Sequence, residues 1–364
     1  MRRKLSEQDI ADIAAGSGIL GTGGGGDPYL GTIFATRAVR EHGEPELVSV
    51  DELPEDAVAV AAAMVGSPVP FMEKLSLGPE LGRVFKAMQR ALGRPVTAIM
   101  SPEIGGVNTV ICMALAAELG LPVVDGDGMG RAFPEIELVT YTLHGINVSP
   151  FVLGDEHGNV VTIDGADNLW TEQLARTTVI KFGAIAPSLG FPLSKQQIAQ
   201  AAVLGSVSKA LHIGQALSAA GSQEGGALDG ILAATDGTLL FKGMVSGVDR
   251  QVTGGWAVGE VQIEGADRWS GSSMRVTFQN ENLIAFLDGE IAACVPDLIC
   301  IVEQDTCRGI TTERLRYGTR VCVLALPADQ QWITPAGIDL AGPRHFGYDF
   351  DYRPYAGRPA ALAR

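Results

Sequence analysis

The chain has 364 residues, 46% hydrophobic and 19% charged, with a formal net charge of −15. Its mean hydropathy is +0.18 and its pI is near 4.8. That is a compact globular composition, which excludes a disordered chain and argues against a nucleic-acid partner, since phosphate binding draws on clustered Lys and Arg.

The length suits two domains of roughly 150 to 200 residues. No uncharged apolar run reaches the ~18 residues of a membrane span, and Met1-Arg2-Arg3-Lys4 turns acidic with no apolar region behind it. The cysteines Cys112, Cys294, Cys300, Cys307 and Cys322 form no CxxC pair. They read as small buried hydrophobes, and a reduced, cytoplasmic protein fits best.

In chain order, Ser6-Glu7-Gln8-Asp9 caps a first helix that the pattern ends at Gly16. A second helix runs from Tyr29 to Glu41 before Gly43. Short apolar runs then alternate with helical ones: strand 57–65, helix 79–92, strand 96–100, helix 107–119 and strand 121–125. This is the rhythm of an α/β domain with a mainly parallel sheet, whose ligands bind beyond the carboxyl ends of the strands. Leu138–Leu143 is strand-like, 151–163 reads as a hairpin, and helices are expected near 169–181 and from the Ser194 capping box toward Ala220. Beyond Gly237 the pattern becomes strand and turn, spaced as in a β-sandwich or barrel. The expected division is an α/β domain over 1–167 and a mixed, mostly β domain over 168–364 with an early long helix.

Three loops carry the candidate chemistry. Thr22-Gly23-Gly24-Gly25-Gly26-Asp27 precedes a helix N-terminus, where exposed N–H groups can hold an anion or a polar ring. A tight helix–helix connection is the bland alternative. No strand precedes this loop and no Walker lysine follows it, so no nucleotide is expected. In the second loop, Glu103 stands at a strand end with Asn108 entering a helix; it suits a general base, although Asn108 as a helix cap would explain the loop equally. In the third, Asp125 and Asp127 lie one residue apart and need a shared proton, a divalent metal or a counter-charge such as Arg131. A solvated capping loop is the plainer reading. His144, beside the same edge, suits a ligand or acid as well as a structural role. Glu73-Lys74 reads best as a solvated charge pair. No HxxE, HxH or CxxC spacing appears, so no zinc site can be read.

Taken together, Leu20–Tyr29, Glu103–Asn108 and Leu121–Glu135 resemble the bacterial family named for S-methyl thiohydantoin desulfurase, often encoded beside hydantoinase/oxoprolinase-type enzymes. Val295-Pro296-Asp297-Leu298-Ile299 and Gly342-Pro343-Arg344-His345-Phe346-Gly347-Tyr348 look like motifs of its C-terminal domain. The resemblance implies an α/β domain followed by a β-rich one, and chemistry on thiohydantoin-like rings. In a hydrolytic desulfurization Glu103, Asp125 or Asp127 would activate water, the Gly23–Gly26 N–H groups would stabilise developing charge, and Arg131 would anchor a substrate carboxylate. The rival readings are a non-catalytic partner subunit of a hydantoinase/oxoprolinase-like enzyme and a phosphate-binding α/β protein. Convergence of the three loops on one carboxylate-lined pocket separates the first from the second. A homo-oligomer is compatible with all three.

Overall fold

The protein is described by a computed structural model over residues 2–67, 79–220, 226–253 and 256–359. Glu73 and Lys74 lie outside these residues. The first sheet has eight strands in the order β1-β2-β5-β4-β3-β9-β7-β8. These are β1 (Arg3–Lys4), β2 (Glu46–Val48), β3 (Val58–Gly66), β4 (Ala98–Met100), β5 (Val123–Val124), β7 (Phe151–Gly154), β8 (Val160–Ile163) and β9 (Ile185–Ser194). The short β6 (Gly126–Asp127) pairs instead with β10 (Val203–Leu204). Strands β2, β5, β4 and β3 are mutually parallel, while β9 runs antiparallel to both β3 and β7. The expected mainly parallel sheet is therefore a mixed one.

Strand β9 has no clear signature in the sequence. It carries Pro187, Gly190 and Pro192, residues that read as breakers. Its pairing with β3 shifts register between Ala59 and Ala61, and Phe191 sits there at φ 47° with its N–H on Val148 O. A bulge of this kind accommodates proline in a central strand. A strand from residue 185 onward thus completes the sheet begun by the N-terminal half.

Helix Glu7–Leu20 begins at the capping box of Ser6 and Asp9. It runs past Gly16, because that glycine serves packing rather than termination: a Cβ there would lie 1.9 Å from Ala210 O on helix Ser206–Ala220. A Cβ on Gly214 would come equally close to Asp12 O, at 1.9 Å. Helices Pro28–His42, Glu80–Leu92 and Asn108–Leu119 match the sequence pattern, with Gly93 and Gly120 left-handed at their ends. Two expectations change. The segment near 138–143 forms the short helix Thr140–Leu143, and the long helix expected from Ser194 is split into Lys195–Ala201 and Ser206–Ala220 by β10. Helices Asn168–Lys181 and Gly226–Thr235 complete this half of the fold.

The C-terminal half is one antiparallel sheet of seven strands, ordered β15-β14-β13-β12-β11-β17-β16. Its members are β11 (Thr238–Thr253), β12 (Trp256–Gly265), β13 (Ser273–Gln279), β14 (Glu281–Leu287), β15 (Glu290–Cys294), β16 (Leu298–Glu303) and β17 (Arg320–Leu326). Alternation on β16 and β17 sends side chains into two separate cores. Ile299, Ile301, Val321 and Val323 join a cluster within this sheet. Leu298, Cys300, Cys322 and Leu324 join the core that continues into the α/β layers. Burial on both faces fixes the sheet against the first half. All five cysteines are buried and unpaired. No described helix is long and apolar enough to cross a membrane.

Candidate active site

The glycine loop is tied down from both sides. Gly25 O accepts the Val107 N–H at 2.8 Å, and Gly25 sits against Gly105 so closely that a Cβ on Gly25 would be 2.4 Å from its Cα. Across the interface, Thr22 O accepts the Asn282 N–H and Gly23 O accepts the Thr312 N–H, at 2.7 and 2.8 Å. The backbone is left-handed at Thr22, Gly23, Gly25 and Gly26, and glycine suits the last three. Asp27 caps the helix Pro28–His42 through Tyr29 N and pairs with Arg314 at 3.1 Å.

All three loops join one hydrogen-bonded edge: Ile104 N donates to Arg131 O, and Gly128 N to Pro102 O. Beside them lies a cleft of about 990 Å³, counted to its open mouth. Its walls come from Gly24–Gly26, the end of β3, Glu103 and Asn108, strand β9 and, from the C-terminal half, Asn280, Glu281, Thr312 and Glu313. Phe133, Ile136 and Phe191 make much of it apolar. A pocket between two halves, apolar with a few converging polar groups, is the usual form of a small-molecule site.

Glu103 is the buried carboxyl that the α/β half delivers to this cleft. Asn108 orients it: its Nδ2 donates to Glu103 Oε1 at 2.5 Å, while its Oδ1 accepts the Met64 N–H at 2.8 Å. Burial pushes the Glu103 carboxyl up to about 7, against the pull of hydrogen bonds from Asn108 and the Phe133 N–H. A carboxyl poised there can take a proton at neutral pH.

The aspartates of the third loop are placed differently. Asp125 accepts from Ser208 N and Ser208 Oγ, at 2.9 and 2.5 Å, and so caps the first turn of helix Ser206–Ala220. Asp127 is fully buried and its Oδ2 accepts the N–H groups of Met129 and Gly130. Burial raises its carboxyl to about 7. Neither aspartate lines the cleft, whereas Met129 of the same loop does. Pairing of β6 with β10 turns both aspartates toward the helix and the loop's own backbone.

Arg131 is not their counter-charge. Its guanidinium is buried, donating to Pro296 O, Asp297 O, Asn282 O and Thr22 Oγ1 and resting 4.2 Å from the Phe133 ring centre. It cross-links the halves, and its donors are committed to carbonyls rather than to a substrate carboxylate. His144 is exposed and meets Gln331 Oε1 at 2.9 Å, away from the cleft lining.

Sequence reasoning passed over Glu281 and Glu313, both buried in the cleft wall. Glu281 lies two residues before the predicted strand 283–287 and Glu313 in a connecting segment, where a carboxylate is ordinarily solvated. Glu135 was quoted within the third motif without a role; it also lines the cleft and meets His345 Nε2 at 2.9 Å. Arg176 at the cleft pairs with Glu172 and lies 5.0 Å from the Trp256 ring centre. Among the described residues no group of three or more His, Cys, Asp or Glu side chains is arranged to hold a metal ion.

Protein-family models match residues 8–165 as the S-Me-THD-like N-terminal domain and residues 166–355 as the S-Me-THD-like C-terminal domain. Among solved structures, a structural-genomics crystal structure of a protein from Chromobacterium violaceum is similar with TM-score 0.79 at 25% sequence identity, covering 97% of this chain and 100% of that one. The curated proteins compared give no match. The two family models meet end to end at residues 165 and 166 and together span both halves that line the cleft, and the chain belongs to the S-Me-THD-like family, the S-methyl thiohydantoin desulfurase-like proteins.

Proposed function

We propose that this protein is an enzyme of small thiohydantoin-like rings that releases sulfur by hydrolysis, with Glu103 activating water. The observation that carries the reading is Glu103 itself: a buried carboxyl, fixed by Asn108, in the wall of a largely apolar cleft. Such a wall strips water from a flat five-membered ring, while the adjacent glycine backbone approaches its polar edge closely enough for hydrogen bonds. A desolvated carboxyl that also faces a cleft, unlike the buried Asp127 beside it, favours chemistry over a non-catalytic partner subunit.

In the reaction, Glu103 in its ionised form takes a proton from water as the water oxygen attacks the ring carbon bearing sulfur. Ionisation is therefore required, and turnover rises with pH through about 7. The test is direct measurement of methanethiol or sulfide released by the purified protein from S-methylated thiohydantoins, thiohydantoins and hydantoins of different side chains. Thiol release that is lost in Glu103→Gln is the expected result. Release unaffected by that substitution, or none from any ring, would sink the proposal.

A further inference from the structure

The cleft contains a second buried carboxyl that no step so far uses. Glu281 begins β14 and is 3% exposed; its Oε2 has no hydrogen-bond partner. An unpartnered polar atom in a buried cleft wall costs stability and calls for an explanation. Its other oxygen lies where a side chain at position 24 would be: a Cβ on Gly24 would come 1.8 Å from Glu281 Oε1. Gly24 has no left-handed φ, so its missing side chain serves this contact and not a turn. The glycine loop, read from sequence as a ligand cradle, thus also seats a carboxyl from the opposite half.

We infer that Glu281 is the proton-carrying partner of Glu103 and the catalytic acid for the departing sulfur, an assignment that rests on the desulfurization reading. Its surroundings keep it protonated. Burial raises its carboxyl well above the usual range, the charge on Glu103 and that on Glu313 add to this, and Arg131 opposes them from behind. Two carboxyls that cannot both ionise divide into a base and an acid.

On an S-methylated ring the step balances. Glu103 takes one proton from water as its oxygen bonds to the ring carbon, the C=N pair moves onto nitrogen, and nitrogen then takes that proton from Glu103. As the C–S bond breaks, sulfur keeps its electron pair and takes the proton of Glu281. The new hydroxyl closes to C=O and returns its proton to Glu281. Water is consumed, methanethiol leaves, and both carboxyls are restored.

Leaving-group dependence tests the assignment. Wild type, Glu281→Gln and Glu103→Gln are compared on an S-methyl substrate and on its S-(4-nitrophenyl) analogue, whose thiolate departs without a proton. Glu281→Gln should lower kcat on the first by ~10²–10⁴-fold and leave the second nearly unchanged, whereas Glu103→Gln lowers both. Glu281→Asp, which keeps a carboxylic acid at shorter reach, should give the same pattern in milder form, and it retains the test if the Gln variant fails to fold. Equal losses on both substrates for Glu281→Gln, or none, would overturn the assignment. A wild-type protein that releases neither thiol would remove the reading beneath it, and that failure is visible before any variant is made.

Discussion

Two loops at the same edge of the first sheet, 102–108 and 125–131, follow parallel strands and combine glycine with acidic residues, yet they have different work. Glu103 faces a cleft, held by Asn108 and the Phe133 N–H in a wall that is largely apolar. Asp125 and Asp127 face protein, each with one oxygen on the N–H donors of a helix or turn. The difference teaches that a carboxylate's role follows from where its hydrogen bonds end. One turned into the protein holds structure, and one left facing a cavity is available for chemistry.

The comparison breaks most decisively at Glu103. Glu103→Gln should reduce thiol release by ~10²–10⁴-fold while the protein stays folded, measured as kcat alongside thermal melting. Residual activity near wild type would place both loops in the structural class. Next in size is Arg131→Met in the other loop. It strips donors from several buried acceptors at once, so a stability loss of at least ~3 kcal/mol in urea unfolding is expected.

A third effect sharpens the contrast through pH. The unfolded chain ionises Glu103 near 4.5 and the folded protein near 7, so the folded state holds the extra proton between these values. Stability contributed by this group is full below about 4.5, falls as pH rises to about 7, and is level above; the gap corresponds to roughly 3 kcal/mol. Glu103→Gln should therefore unfold at higher denaturant than wild type at pH 8 and at a similar concentration at pH 4. Coincident curves at both pH values would show that the carboxyl is not held against its solvation. The smallest effect belongs to Asp125→Asn. Weakening the cap on helix Ser206–Ala220 should cost ~1 kcal/mol, with kcat per folded molecule unchanged. Loss of turnover without loss of stability would return Asp125 to the site.

Much of this architecture was legible in the chain. Gly43, Gly93 and Gly120 stop helices, Ser6 and Ser194 start them, and alternation beyond Gly237 marks the antiparallel sheet, because caps and periodicity are local physics. The glycine loop and Glu103 stood out for the same reason: neither composition nor position suits a core. Long-range partners decided the rest. Strand β9 exists despite its prolines because β3 and β7 flank it, and Gly16 continues a helix because Ala210 O lies against it. Asp125 became a cap when β10 brought Ser208 beside it, and Glu281 entered the cleft when the C-terminal sheet docked on the glycine loop. A residue's hydration and its hydrogen-bond partners are properties of the folded surface around it, so local sequence named Glu103 and the two aspartates, while tertiary packing assigned their roles and brought in Glu281.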